Sequence, residues 1–290
     1  LSAQTKNIST SNSASVKQQP EILYSTKDVV CRTPTDQRIW YAPRLFDPEC
    51  SVLVDVLRPP RGRIILCIDD KVWSIYQKDI EHWARAQGVE LATVVVPGGE
   101  QAKNVEVWLR IMDDLWTIDP LRYTEPIIAI GGGAVTDTVG FVASVWRRGT
   151  PWVRIPTTLL GMVDASVGIK VSVNYLRKNG IGDFHSPRHT FIDPLFLRTN
   201  KKRHLKAAVG EMLKAGLVHD KRLYDLLRHE GMRLIEEKFT GSNGLPDKAA
   251  QETLSLSIRA MLDCIGPDLY EENLSRAMDF GHTFSRWLER

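Results

Sequence analysis

The stretch IAIGGGAVTD at residues 128–137 decides the fold. An apolar run ends in three glycines, and a helical pattern follows from about residue 134 to 146. Glycine lets the backbone come close to a phosphate, and a helix start offers free N–H groups and the positive end of a dipole. The spacing differs from the G-x-G-x-x-G dinucleotide fingerprint. The pattern therefore indicates a turn for a phosphate or nucleotide, and a purely structural tight turn is the alternative.

Short apolar runs alternate with helical patterns on both sides of this stretch. Strands are predicted at 63–68, 92–97, 126–130, 152–155 and 190–193, and helices at about 71–87 and 102–115. From residue 205 the patterns are helical, at 205–219, 221–238, 248–262 and from about 273 to the end. Such alternation predicts an α/β half with a parallel sheet flanked by helices, followed by an all-helical half.

These patterns define the expected domains. Residues 1–20 are polar, rich in Ser, Asn and Gln and free of acids, and are predicted to be a disordered tail. The α/β domain is expected at 21–195 and a helical domain at 196–290. In the family described below, further chain follows the position of residue 290, so the sequence is expected to be a piece of a longer protein.

The composition is that of a soluble globular protein, with 43% hydrophobic and 25% charged residues among 290. A formal net charge of +3 points neither to nucleic acid nor to a membrane. The four cysteines contain no C-x-x-C pair, which favours a reducing, cytoplasmic location. An anionic ligand would therefore need a local basic pocket.

A second glycine-containing turn, PGGEQAKN at 97–104, follows the predicted strand at 92–97. Glu100 and Lys103 lie three residues apart within it. A carboxylate at the carboxyl end of a strand can accept hydrogen bonds from ribose hydroxyls. The alternative is a capped helix start with solvated charges, which is favoured when this motif is taken alone.

The segment 154–185 carries the densest set of polar residues in an apolar frame. Lysines and asparagines between glycines suit an anionic, hydroxyl-rich ligand. Burying so many polar groups is costly unless they are paired, so a functional role is favoured over a structural one. The polar residues are Thr157, Thr158, Asp164, Lys170, Asn174, Lys178, Asn179 and His185.

A carboxylate and a lysine lie one turn apart in AVGEMLKAG at 208–216. Glu211 and Lys214 form either a simple salt bridge or a metal-ligating carboxylate beside a substrate-binding lysine. His282, in DFGHTF near the end of the sequence, would be the nitrogen ligand. Glutamate and histidine suit Zn²⁺ or another divalent ion, although two ligands do not make a site.

Taken together, the motifs resemble those of the sugar phosphate cyclases, the family of 3-dehydroquinate synthase. The resemblance runs from about residue 63 to 289, over GGGAVTDTVGFVAS, RRGTPWVRIPTTLLGMVDASVGIK, RKNGIG, VGEMLKAG and DFGHTF. It implies an NAD-binding α/β domain, a helical domain with Zn or Co, and a homodimer. It also implies oxidation of a sugar phosphate by recycled NAD⁺, phosphate elimination, reduction and ring closure.

The resemblance assigns roles to matching residues. The cofactor residues would be Asp69, Glu100, Lys103, Gly132, Gly133, Asp137, Thr157, Thr158 and Lys178. The catalytic and substrate residues would be Arg148, Asp164, Lys170, Asn179 and Lys214. The metal ligands would be Glu211 and His282, and the family's third ligand lies in a segment that follows this sequence.

Several residues depart from the 3-dehydroquinate synthase pattern. Ile169, Val171, Asp279 and Arg286 replace residues usual in that enzyme, and resemble the branch that cyclises sedoheptulose 7-phosphate. Within this branch, IKVSVN and HTFIDPLFLRT favour formation of demethyl-4-deoxygadusol over 2-epi-5-epi-valiolone. The alternatives are 3-dehydroquinate synthesis, or an NAD-binding homologue without activity.

Overall fold

A wholly parallel six-stranded sheet forms the centre of the computed structural model, which describes residues 36–242, 244–273 and 276–281. Its strand order is β1-β8-β5-β4-β2-β3. The sheet strands are β1 (Arg38–Tyr41), β2 (Arg63–Asp69), β3 (Glu90–Val96), β4 (Ile127–Gly131), β5 (Trp152–Pro156) and β8 (His189–Ile192). An antiparallel hairpin of β6 (Lys170–Tyr175) and β7 (Arg177–Phe184) lies outside this sheet.

Helices connect the strands and form the C-terminal region. They are α1 (Val52–Leu57), α2 (Asp70–Ala86), α3 (Val105–Ile118), α4 (Gly133–Val145), α5 (Lys202–Val218), α6 (Lys221–Glu236) and α7 (Lys248–Ile265). Aspartate or asparagine side chains accept hydrogen bonds from the first-turn N–H groups of four of them. The capping residues are Asp69, Asn104, Asp220 and Asp247.

Both faces of the sheet are buried, which explains why its strands are continuous apolar runs. In β2, Leu66 packs into one hydrophobic cluster, and its neighbour Cys67 packs into the other. The Leu66 cluster continues into the C-terminal helices through residues such as Leu205 and Leu254. The other cluster lies under α3, α4 and the hairpin, and it includes Trp152. The predicted fold class, a parallel sheet followed by a helical region, is confirmed.

The strand order places a topological switch point between β2 and β4. Strand β2 pairs with β3 on one side and with β4 on the other. Open α/β sheets bind ligands outside the carboxyl ends of their strands at such a point. Here Asp69 ends β2 and Gly131 ends β4, so these two residues flank the switch point.

The structure differs from the sequence prediction at four elements. Strand β1, the short helix α1 and the hairpin β6–β7 were not predicted as elements. A helix predicted from about residue 273 is wrong for the described residues, because 276–281 contain one 3₁₀ turn at Ala277–Asp279. The turn is followed by Gly281 with φ +85°, a conformation that ends a helix. The predicted tail at 1–20 and His282 lie outside the described residues.

None of the helices in the described ranges is both long and apolar enough to cross a membrane.

The Glu125 carboxylate forms a buried ion pair with Arg63 that should stabilise the fold. This carboxylate is buried and accepts two hydrogen bonds from Arg63, at 2.8 and 3.1 Å, and one from the Leu121 N–H at 2.7 Å. We expect Glu125→Ala to lower the free energy of unfolding by about 3–5 kcal/mol, because it leaves the Arg63 charge unpaired. Urea unfolding measures the change. Asp36→Ala, which removes an exposed ion pair with Arg38, is the control and should change it by less than about 1 kcal/mol; equal effects would contradict this account.

Candidate active site

The turn between β4 and α4 forms a narrow backbone cradle. A Cβ on Gly131 would lie 2.8 Å from the Val135 Cβ and 3.2 Å from the Asp69 Cβ. A Cβ on Gly132 would lie 3.2 Å from the methyl group of Thr158. A side chain is therefore excluded at Gly131 and would crowd Thr158 at Gly132. The start of α4 presents backbone N–H groups and the positive end of its dipole.

Asp69 lies beside this cradle at the end of β2. Its Oδ1 accepts hydrogen bonds from the N–H groups of Lys71 and Val72, at 2.9 and 3.2 Å. Its Oδ2 lies only 2.2 Å from the position that a Cβ on Gly98 would occupy, so that glycine is required. Burial raises the pKa of Asp69, and the two N–H donors oppose this effect. The residue is thus a fixed hydrogen-bond acceptor between the ends of β2 and β3.

A buried lysine joins the β3–α3 loop to α4 and the hairpin. The Lys103 Nζ lies 2.7 Å from the Asp137 Oδ2 and 2.7 Å from the Asn179 Oδ1. The hydroxyl of Ser172 donates a further hydrogen bond of 3.1 Å to the same Asn179 oxygen. Burial raises the pKa of Asp137, and the adjacent Lys103 opposes this effect. Lys103, Asp137 and Asn179 therefore form one polar network.

Asn174 holds the hairpin against the β3–α3 loop. Its backbone N–H donates to the Lys103 carbonyl at 2.8 Å, and its Nδ2 donates to the Glu100 Oε1 at 2.9 Å. Its Oδ1 accepts from the Asn179 N–H at 2.8 Å. Asn179 has φ +53°, a left-handed conformation that asparagine tolerates. One side chain thus positions Glu100 and Asn179 around Lys103.

Two threonines after β5 form the other wall of the cradle. The Thr157 N–H donates to the Gly131 carbonyl at 2.9 Å, and its side chain is buried. The Thr158 Oγ1 accepts from the Gly161 N–H at 3.1 Å, and its methyl group faces Gly132. Both residues therefore lie at the carboxyl edge of the sheet, as the predicted cofactor role requires.

Asp164 lies in a wide helical turn, Gly161–Ala165, amid charged groups of the predicted substrate pocket. Burial raises its pKa to about 6, and the Glu211 carboxylate adds to this effect while Lys214 and Lys170 oppose it. Glu211 and Lys214 form the ion pair that the sequence indicated, and the Lys214 side chain is largely buried. The pair is therefore partly shielded from solvent, and the Glu211 side chain is 28% exposed.

Lys170 contacts the C-terminal segment. Its Nζ lies 2.7 Å from the Glu271 Oε1, and Arg276 contacts the same oxygen at 2.5 Å. The Lys170 side chain is more than half exposed. A cation predicted to bind substrate is therefore paired with an acid more than one hundred residues away.

Three predicted site residues do not join this group within the described chain. Arg148 is exposed and lies between the end of α4 and the start of β5, at the amino edge of the sheet and opposite Gly132. Its predicted place in the substrate pocket is therefore not formed within the chain. Lys178 is exposed on the hairpin. His282 lies outside the described residues.

The metal prediction has one donor in the described residues, Glu211. No group of three His, Cys, Asp or Glu side chains in the ranges that the structure describes could hold a metal ion. The described donors therefore do not make a metal site by themselves.

Sequence reasoning missed Arg154 and gave Asn174 no specific role. Arg154 is fully buried on β5, where its Nη1 donates to the carbonyls of Ala165 and Gly168, the latter at 3.2 Å. Burial lowers its pKa to about 10, so it stays charged at neutral pH. An arginine inside the apolar run WVRIP was the available signal. Asn174 could not be singled out because its partners come from another loop.

The fold and the site together define a class of α/β protein with a glycine-lined cleft at a topological switch point and a helical region beyond it. Comparison with known proteins narrows the class. The model for the N-terminal part of 3-dehydroquinate synthase matches residues 93–207, and that for the C-terminal part matches residues 208–290. The chain belongs to the 3-dehydroquinate synthase family of sugar phosphate cyclases.

Individual relatives agree with this assignment. The chain is 40% identical over 248 residues to a 2-epi-5-epi-valiolone synthase of Streptomyces albus, covering 84% of this chain and 60% of that protein. It is 33% identical over 252 residues to a demethyl-4-deoxygadusol synthase of Trichormus variabilis, covering 86% and 61%. The chain thus spans about three fifths of the length of these relatives.

A solved structure has the same fold. The 2-epi-5-epi-valiolone synthase ValA of Streptomyces hygroscopicus subsp. jinggangensis 5008, with NAD⁺ and Zn²⁺ bound, superposes with a TM-score of 0.80 at 37% identity. The match covers 89% of this chain and 68% of ValA.

Proposed function

We propose that the protein is an NAD⁺-dependent cyclase of sedoheptulose 7-phosphate that eliminates phosphate, a lyase reaction. The observation that carries the proposal is the cleft at the switch point, where the cradle at Gly131, the Asp69 carboxylate and the Lys103 network meet. This cleft has the features that dinucleotides need: bare N–H groups for a pyrophosphate and fixed acceptors for ribose hydroxyls.

NAD⁺ fits the residues of the cleft. Gly132 and Gly133 would meet the pyrophosphate, and a side chain on Gly132 would crowd the Thr158 methyl group. Asp69 and Glu100 would accept hydrogen bonds from the adenosine part. When bound, NAD⁺ supplies the hydride chemistry, and the protein supplies binding and orientation. Asp137, Thr157 and Thr158 would complete the cofactor contacts, and the role of Lys178, which is exposed on the hairpin, stays a prediction from the family.

The chain's own charges suit the substrate. Lys214 and Lys170 can attract a phosphate, and Asn179 can bind a hydroxyl group from its place beside Lys103. Asp164, with its pKa raised to about 6, can hold or release a proton near neutral pH. We assign it proton transfer at the sugar, in a pocket whose cations lie on α5 and β6.

The metal stays a proposal from the family. The solved structure of the relative ValA has Zn²⁺ bound. In this chain, the predicted ligands of Zn or Co are Glu211 and His282. Since the described donors do not complete a site, we derive no catalytic step through a metal. A homodimer and a cytoplasmic location are likewise proposals.

The proposed substrate leads to two alternative products, which different observations favour. The 40% identity to a valiolone synthase, against 33% to a deoxygadusol synthase, favours 2-epi-5-epi-valiolone. The segments IKVSVN and HTFIDPLFLRT favour demethyl-4-deoxygadusol. Both products come from sedoheptulose 7-phosphate, so the substrate proposal does not depend on this choice.

Phosphate release tests the proposal. The protein is incubated with sedoheptulose 7-phosphate, NAD⁺ and Zn²⁺, and we expect release of one phosphate per sugar, with a C7 carbocycle identified by mass spectrometry. Omitting NAD⁺ from protein stripped of cofactor is the control and should stop release. Release from 3-deoxy-arabino-heptulosonate 7-phosphate alone would support 3-dehydroquinate synthesis instead. NAD⁺ binding without release from either sugar would support a homologue without activity.

A further inference from the structure

Arg154 is a buried cation that the proposed reaction does not use. It lies in the middle of β5 with no solvent exposure, and its guanidinium stacks 4.7 Å from the centre of the Trp152 ring. Only Nη1 has hydrogen-bond partners, whereas Nε and Nη2 have none in the described part of the chain. Burial of a charged group with unmet donors opposes folding. An apolar residue of similar volume would avoid this desolvation cost, but it would leave the carboxylates that attract Arg154 without their cation.

The partners of Arg154 connect it to both halves of the site. Its Nη1 donates to the Ala165 carbonyl, and the Ala165 Cβ lies 3.6 Å from the position of a Cβ on Gly133. Ala165 is therefore both the residue held by the arginine and part of the wall of the cradle. Asp164 is its direct neighbour in the same turn, so one guanidinium fixes the turn that carries both.

The charge of Arg154 acts on the same two regions. The carboxylates that attract it are those of Asp137, next to Lys103, and Asp164, in the substrate pocket. These acids lie on separate elements, α4 and the turn after β5. The Arg154 charge, which interacts with both carboxylates, opposes the repulsion between them.

We propose that Arg154 is a positioning residue that holds the Gly161–Ala165 turn against the cradle and so sets the geometry of both the cofactor cleft and Asp164. The inference deepens the proposed function and rests on it. Arg154 contacts neither cofactor nor substrate. It acts on the site through its hydrogen bond to Ala165 and through its charge. Residues that are unfavourable for stability mark functional sites. Arg154 is such a residue, because its charge is buried and two of its nitrogen atoms have no hydrogen-bond partner in the described residues.

The test compares Arg154→Met with Arg154→Lys. Methionine keeps much of the volume and removes the charge, whereas lysine keeps the charge and loses the planar fork. We expect Arg154→Met to weaken NAD⁺ binding about tenfold and to lower kcat about 100-fold. Arg154→Lys should recover part of both losses. Calorimetric titration measures NAD⁺ binding independently of turnover.

Arg63→Met is the matched control, because Arg63 is a paired arginine of β2 whose bonds to Glu125 lie away from the cleft. It should lower stability and leave the Kd for NAD⁺ unchanged. Lower stability of Arg154→Met with unchanged NAD⁺ binding and kcat would overturn the inference. If Arg154→Met does not fold, Arg154→Lys decides the question. A wild-type Kd for NAD⁺ and a wild-type kcat in Arg154→Lys would overturn the inference, and weaker NAD⁺ binding would support it. Failure of the wild-type protein to bind NAD⁺ would instead overturn the proposed function.

Discussion

Replacing Lys103 by methionine is expected to weaken NAD⁺ binding about 100-fold and to destabilise the fold. The lysine is buried and joins Asp137 to Asn179, so its loss leaves the partly buried Asp137 carboxylate without its cation. Breaking a buried ion pair in this way costs about 3 kcal/mol of the free energy of unfolding. It also removes a positive charge beside an anionic cofactor. Calorimetric titration and urea unfolding measure the two effects.

Lys202→Met is the control for this prediction. Lys202 forms an exposed ion pair with Glu236 on the surface of the C-terminal helices. Its replacement should change stability by less than about 1 kcal/mol and leave NAD⁺ binding unchanged. If Lys103→Met bound NAD⁺ as tightly as the wild-type protein, the network around Asp137 would have no role in cofactor binding.

Replacing Asp164 by asparagine is expected to stabilise the ligand-free chain at pH 7 and to lower turnover about 100-fold or more. The carboxyl pKa is about 6 in the folded chain and about 4 when unfolded, because burial disfavours its charge. The folded state therefore binds the proton more tightly, and the stability of the wild-type chain falls as pH rises from about 4 to 6. Asparagine avoids this cost, so the variant gains about 2–3 kcal/mol at pH 7.

The gain should disappear near pH 4, where the wild-type carboxyl group is protonated in the folded state. Urea unfolding at both pH values measures it. Turnover should fall by about 100-fold or more, because the amide cannot transfer the proton. Asp113→Asn, at an exposed position on α3, is the control and should change neither stability nor turnover. A variant less stable than the wild-type chain at pH 7 would contradict the assigned burial of the Asp164 charge.

Sequence periodicity was enough for five of the six strands of the central sheet, all except β1. The runs around residues 65, 94, 128 and 154 are short, apolar and separated by helical patterns, and each lies within a strand of the structure. The hairpin β6–β7 escaped prediction because its strands are mixed in polarity and many of its residues are exposed. Its place is set by the contacts of Asn174 with a distant loop, which no local pattern encodes.

Some features of the candidate site could be predicted from the sequence, and others needed the fold. Residues that end parallel strands, such as Asp69 and Gly132, could be predicted because topology brings the ends of such strands to one edge. The pairing of Lys103 with Asn179 and of Lys170 with Glu271 joins residues 76 and 101 positions apart, so it needs the fold. Arg148 was carried over from the family pattern, and within the chain it lies at the opposite edge of the sheet.

Titration of the chain with NAD⁺ and, separately, with NADP⁺ tests the central claim most directly. The cleft at the switch point should bind one NAD⁺ per chain. It should bind NADP⁺ more weakly, because the Asp69 carboxylate would repel a 2′-phosphate. Asp69→Ala should reduce the difference between the Kd for NAD⁺ and the Kd for NADP⁺. Absence of NAD⁺ binding, or equal affinity for both dinucleotides in the wild-type chain, would contradict the assignment of this cleft.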